Sequence, residues 1–400
     1  MLAYWIWFSR LQGLNGRQKL QLLEYFHSPE EIYRLDVRDV KRMSDLPDKA
    51  RLSILNKDLT VASGIVKACK EKKIGVLAFT DSNFPNRLRL VDDPPMVLYY
   101  RGRVPAWGLQ PVIGIVGTRR ASAYGLRSAE NIAAEIAACG GIVASGGAQG
   151  IDTEALKGAL NQGQVTVSVM AGGLDRFYPK SNTQLFEKIM ENGCLLSEYA
   201  PGEAFYKGNF LRRNRIISGI SNAVLVVEAP KISGALSTAR WAYRQGRDIF
   251  AVPGNIDVET CAGSNEIIGD MATPALSGWA VVSQYAHAYP GMVKRAAPVL
   301  MQMKESAKTL AQEPKKPALK EQSDKINVDK PIDSPYSVKE NISLTDRERQ
   351  IVALLTQEPV PVDIIVEKLQ LPSGAVMTVL TKLAIKGVVK NHPGKRISLA

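Results

Sequence analysis

Val112-Ile113-Gly114-Ile115-Val116-Gly117-Thr118-Arg119-Arg120-Ala121-Ser122-Ala123-Tyr124-Gly125 decides the fold class. Five residues of the kind buried on both faces of a sheet run into a glycine-containing bend and then into a helical pattern. A helix that starts at a strand's end presents unpaired N–H groups and a positive dipole end, which attract a phosphate. An arginine in the bend can add a bidentate contact. The next unit repeats this order: Ile142-Val143-Ala144, then Ser145-Gly146-Gly147-Ala148-Gln149-Gly150-Ile151-Asp152, then a helix near 153–160. Strand runs at 165–169, 194–197, 223–227 and 248–252 alternate with helical stretches such as 128–138 and 237–244. That alternation predicts an α/β fold, a mainly parallel sheet wrapped by helices. Open sheets of this type bind ligands outside the carboxyl ends of their strands, so both bends are expected to face one crevice. The G-x-G-x-x-G fingerprint is absent and no strand-end acid follows about 20 residues on, which disfavours a nicotinamide dinucleotide; no cofactor is expected.

A third stretch, Tyr206-Lys207-Gly208-Asn209-Phe210-Leu211-Arg212-Arg213-Asn214-Arg215, interleaves bases and aromatics ahead of an apolar helix. Lys and Arg neutralise phosphates while an aromatic face stacks on a base, a combination suited to single strands. A solvated basic loop with Phe210 packed inside is the plainer alternative, as a tight turn is for either glycine loop alone. A fourth loop, Lys231-Ile232-Ser233-Gly234-Ala235, again offers amides at a helix start. The candidate nucleic-acid-binding residues are therefore Gly117, Thr118, Arg119, Arg120, Ser122, Ser145, Gly146, Gly147, Gly150, Lys207, Phe210, Arg212, Arg213, Asn214, Arg215, Ser233 and Gly234.

Outward from this centre, residues 1–65 read as an all-helical module with turn signals at Gly13, Gly16 and Ser28-Pro29. Its Leu11-Gln12-Gly13-Leu14-Asn15-Gly16 hairpin suits either a DNA phosphate or a packing turn. The apolar opening Met1-Leu2-Ala3-Tyr4-Trp5-Ile6-Trp7-Phe8 lacks a basic flank and is too short to span a bilayer, so it reads as a buried first helix. The sheet domain is expected over 66–299. Residues 300–342 are rich in Lys, Glu, Pro and Ser without periodicity and read as a flexible linker. From 343 to 400, three helical segments and a β-rich tail from Gly387 to Leu399 give winged-helix order.

With 51 Lys and Arg against 39 Asp and Glu, the net charge of +12 favours a polyanionic partner. Cys69, Cys139, Cys194 and Cys261 form no C-x-x-C pair, and His27, His287 and His392 sit in no ligand or triad pattern. No disulfide framework, metal site or His-dependent hydrolysis is readable, and a reducing, cytoplasmic setting without a membrane partner fits best.

The ordered set Gly117-Thr118-Arg119, Ser145-Gly146-Gly147-Ala148-Gln149-Gly150-Ile151-Asp152, Gly173-Leu174-Asp175, Tyr178-Pro179, Ser197-Glu198, Arg213-Asn214-Arg215-Ile216-Ile217, Ser233-Gly234-Ala235-Leu236 and Val252-Pro253-Gly254 resembles the DprA (Smf) family over roughly 75–290. The resemblance implies an extended Rossmann-like domain between a SAM- or helix-hairpin-helix-like module and a winged helix. It further implies a non-catalytic protein that binds single-stranded DNA, protects incoming strands and helps load the recombinase RecA during natural transformation and recombination. Dimerisation through the Rossmann-like domain is implied as well. By position, Arg119 would hold a backbone phosphate, Ser145-Gly146-Gly147 would offer amides, and Lys207 and Phe210 would supply the ammonium and the stacking face. The sequence departs from the family at Leu156, where a His is usual, at Leu211, and at Asp270-Met271-Ala272. Two other readings stay open. One is a nucleotide phosphoribohydrolase of the lysine-decarboxylase-like (LOG) type, although the stretch 230–238 lacks that group's catalytic carboxylate. The other is a winged-helix regulator.

Overall fold

The computed structural model describes residues 1–296 and, further on, 346–355, 360–361, 388–392, 396–399 and scattered positions between 365 and 383. Residues 1–296 belong to one compact unit and those from 346 onward to another. The expected linker at 300–342 lies outside the described residues.

Six helices come first: α1 (Leu2–Ser9), α2 (Gly16–Phe26), α3 (Pro29–Arg34), α4 (Val37–Arg42), α5 (Asp48–Leu55) and α6 (Thr60–Glu71). Their starts follow from local chemistry. Asn15 and Gln18 form a reciprocal capping box on α2, Ser28 caps α3 with Pro29 in its first turn, and Asp36 caps α4. In α1, Ile6, Trp7 and Phe8 are buried, as the apolar opening requires. The expected boundary at residue 65 falls inside α6, whose buried Ala62, Ile65 and Cys69 continue its apolar face across that point.

The sheet follows: β1 (Gly75–Ala78), α7 (Asn86–Arg89), β2 (Val97–Gly102), β3 (Val112–Val116), α8 (Ala123–Ala138), β4 (Ile142–Ser145), α9 (Ile151–Leu160), β5 (Thr166–Met170), α10 (Thr183–Asn192), β6 (Cys194–Ser197), α11 (Lys207–Ile220), β7 (Ala223–Val226), α12 (Gly234–Arg244), β8 (Asp248–Ala251), α13 (Ala262–Asp270), β9 (Thr273–Pro274) and α14 (Gly278–Val282). Nine strands lie in the order β1-β2-β6-β5-β4-β3-β7-β8-β9. Pairing is parallel from β6 to β9, whereas β1, β2 and β6 pair antiparallel. The result is the α/β, mainly parallel, Rossmann-like sheet that the six central strand runs predict. Every residue of β3, β4, β5, β6 and β7 is buried, the burial on both faces expected of parallel strands under helices.

One apolar cluster joins Ile6 and Phe8 of α1 to Val97 and Tyr99 of β2 and Leu195 of β6, which binds the helical module to the antiparallel end of the sheet. The chain runs from β3 through β6 in one direction and then returns to place β7 on the other side of β3. The strand order therefore reverses between β3 and β7, and a crevice is expected outside their carboxyl ends.

In the second unit, Val389–His392 and Arg396–Leu399 form an antiparallel hairpin, joined by Val360–Pro361 into a three-stranded sheet. Ile351, Leu355, Ile365, Val376, Leu380, Leu383, Val389 and Ile397 make its core. The helix Asp346–Val352 opens it; most of the stretches expected as second and third helices lie outside the described residues.

Candidate nucleic-acid interface

A crevice of about 660 Å³ opens at the β3–β7 switch point. Gly117, Thr118, Arg119 and Arg120 after β3 and Ser233 and Gly234 after β7 line it, together with Lys207 and Phe210 of α11. The Arg119 guanidinium lies over the Phe210 ring, 5.1 Å from its centroid, a cation–π contact. Phe210 also meets the edge of Tyr178 at 5.7 Å, and Tyr178 stacks on Phe205 at 5.4 Å. Arg119, Arg120 and Lys207 are exposed, and among the described residues none of them is paired with a carboxylate. The rim thus carries uncompensated positive charge beside aromatic faces.

The helix starts behave differently from the sequence-based expectation. At α8, the buried Glu228 carboxylate from the end of β7 accepts from the Ser122 backbone N–H and hydroxyl, and Ser122 in turn caps Gly125. A protein carboxylate already stands at that positive end, so Ser122 is a cap and does not line the crevice. At the next bend, the buried Asp152 carboxylate accepts from the backbone N–H of Ala148. Burial pushes the Asp152 carboxyl above the ordinary range, against the pull of the Arg213 charge. Ser145, whose hydroxyl donates to Ile115 O at 2.6 Å, is buried with Gly146 and Gly147 beneath the crevice floor. Gly147, at φ +68, has no room for a Cβ between Phe186 and Ser168. The bend belongs to the interior, and its Ala148 amide is already taken by Asp152.

The basic run of α11 divides by face. Arg213 is buried and donates to the carbonyls of Gly146 and Val169; desolvation lowers its pKa to about 10. Asn214 donates to Gly234 O and Ser237 Oγ, tying α11 to α12. Arg215, 1% exposed, pairs with Asp93 and Glu198. Arg213 and Asn214 thus reach the crevice only as its floor, and Arg215 does not reach it. Arg212 is exposed on the opposite face, 3.5 Å from Glu198. Of these four, the structure brings Arg213 and Asn214 to the crevice as its buried floor, holds Arg215 in the interior and turns Arg212 to the opposite face. Gly150 stands at φ +81 against the Thr118 and Arg119 carbonyls, outside the lining.

Residues 75–286 match the family model for DNA recombination-mediator protein A, and residues 338–395 match that for the DprA winged helix domain. Protein Smf of Synechocystis is 32% identical over 98% of each chain. The chain belongs to the DprA/Smf family of DNA processing proteins. The DNA processing protein DprA of Streptococcus pneumoniae is 32% identical over 70% of this chain and 98% of its own. The crystal structure of DprA from that organism superposes with a TM-score of 0.62 at 33% identity, covering 71% of this chain and 98% of that one. Leu156 is fully buried in an apolar cluster. Tyr178, read only as part of the family motif, and Phe205 were not among the candidate binding residues; their signal was the placement of Phe177-Tyr178 and Phe205-Tyr206 after two strand ends.

Among the described residues, no helix is long and apolar enough to cross a membrane. All four cysteines are free and buried.

Proposed function

We propose that the crevice binds single-stranded DNA without base-specific readout and that the protein acts as a binding protein in DNA uptake and recombination. The observation that carries this reading is the Arg119 guanidinium over the Phe210 ring, with Lys207 on the same unpaired rim. Cations there neutralise phosphates while Phe210, Tyr178 and Phe205 offer faces on which exposed bases stack. A duplex hides those faces, so single strands bind in preference. Gly117, Thr118, Ser233 and Gly234 supply close backbone approach. Asp152, the crevice carboxylate, is buried, accepts from the Ala148 N–H and lies under the pull of the Arg213 charge, which supports binding over catalysis. The family resemblance extends the reading to strand hand-over to RecA, a homodimer through the Rossmann-like domain and a cytoplasmic setting.

The test is fluorescence anisotropy of a labelled oligonucleotide, competed by single-stranded and duplex DNA of equal length across salt concentrations. The expected result is preference for the single strand, with weaker binding and a shallower salt slope in Arg119→Ala and Lys207→Ala. Unchanged affinity and slope in both variants would overturn it.

A further inference from the structure

A second cavity, of about 460 Å³, lies where the turn between α1 and α2 meets the end of β6 and the outer face of α11. Its volume falls in the roughly 300–1,000 Å³ range of small-molecule sites. No residue lines both this cavity and the crevice. It gathers the features of the sequence that the crevice leaves unused, the Gly13-Leu14 hairpin and Arg212.

Its charges are unevenly satisfied. Asp93 accepts from the Gly16 N–H at 2.7 Å and from Arg215 Nε at 3.0 Å, and Glu203 pairs with Arg10. Arg215 takes one oxygen of Glu198, while the other, buried Oε2, accepts no hydrogen bond and has only Arg212 Nε at 3.5 Å. Lys19 is nine-tenths buried, and its ammonium meets one acceptor, Ser9 O at 2.6 Å, with no carboxylate in ion-pair reach. Tyr199, equally buried, has a hydroxyl without a partner. Exposed Lys49 stands on the lining, likewise without a carboxylate partner among the described residues. Burial holds the Lys19 pKa down at about 8, against the pull of Glu198 and Asp93 and with the push of Arg212 and Arg215. Burying an ammonium this way is costly unless an anion compensates it.

We propose that this cavity is a second ligand site that takes one nucleotide unit, its phosphate against Lys19 and Lys49 and its N–H or O–H donors toward Tyr199 and the unbonded oxygen of Glu198. The ligand must be anionic at one end and donor-bearing at the other, which a nucleoside monophosphate is and inorganic phosphate is not. The unit can come from a free nucleotide or from a DNA strand, and the two sources separate experimentally.

The experiment is calorimetric titration of the full chain with dGMP and, separately, with inorganic phosphate. The expected result is binding of dGMP in clear preference to phosphate, weakened about tenfold in Lys19→Met, the loss of one charge-assisted contact. Exposed Lys49→Ala, which does not disturb the interior, is expected to weaken it severalfold, and Arg119→Ala to leave it unchanged. If Lys49→Ala weakens dGMP but not oligonucleotide binding, the ligand is a free nucleotide; if it weakens both, the unit belongs to a strand. Absence of dGMP binding overturns the proposal, as does phosphate binding as tightly as dGMP. So does dGMP binding that is lost in Arg119→Ala but kept in Lys49→Ala, which would put the nucleotide in the crevice.

Discussion

Arg119 and Arg215 are the same side chain in two settings. Arg119 stands on the rim, over an aromatic ring and in no ion pair among the described residues. Arg215 sits inside, its guanidinium divided between Asp93 and Glu198, which lie in distant parts of the chain. The rim residue has charge left for a ligand, while the interior residue has already used its charge in assembling the molecule. Arg213 is intermediate, buried but spent on two carbonyls at the crevice floor. Positive charge in this fold thus divides into an unpaired share and a structural share, and only burial and partners tell them apart.

The largest expected effect falls on the interior. Arg215→Ala takes the buried guanidinium from Glu198 and leaves the partly exposed Asp93 with the Gly16 N–H; losing one partner of a buried pair costs about 3–5 kcal/mol, measurable by urea denaturation. If the variant keeps its stability and instead loses DNA affinity, the division between the two arginines fails. Phe210→Ala is expected to weaken oligonucleotide binding by about 1–3 kcal/mol, the worth of one stacked base, with the salt slope unchanged in anisotropy titrations. Arg119→Ala should do the reverse in kind: the slope of log affinity against log salt falls by about 0.7 for one lost single-strand phosphate contact. Its unfolding free energy should stay within about 0.5 kcal/mol of the parent. A further effect concerns Lys19. In the fold it loses its proton near pH 8, whereas the unfolded chain holds it to about 10.5. Across that window stability therefore rises with pH, and Lys19→Met is expected to flatten that rise in denaturation curves taken from pH 7 to 11.

The central strands were legible because a strand buried on both faces is written as an unbroken apolar run, as in Val112–Val116 and Ala223–Val226. The three strands missed by that reading are the ones at or next to the sheet's ends, β1, β2 and β9. Gly75–Ala78 and Val97–Gly102 are partly exposed and pair antiparallel, and Thr273–Pro274 has two residues. In the candidate site, the strand-end rule pointed to Arg119, while Lys207 and Phe210 were read from the interleaved basic and aromatic residues at 206–215 and from the family resemblance. The fate of Arg213 and Arg215 was hidden, because nothing within the run at 206–215 announces that Asp93 and Glu198 will arrive beside it. Glu228 was hidden for the same reason: a helix start looks open in sequence until the neighbouring strand's carboxylate is placed against it.

Gly150 has a further consequence. At φ +81, a Cβ there would stand 2.5 Å from the Thr118 carbonyl and 2.8 Å from that of Arg119, and the next amide, Ile151 N–H, donates to Thr118 O. The two bends are stitched together at this point, so neither shifts without the other. The seat of the Arg119 backbone is thereby settled when the chain folds, and on the proposed function a strand arriving at the rim meets a pre-set jaw, with little ordering of this segment left to oppose its capture.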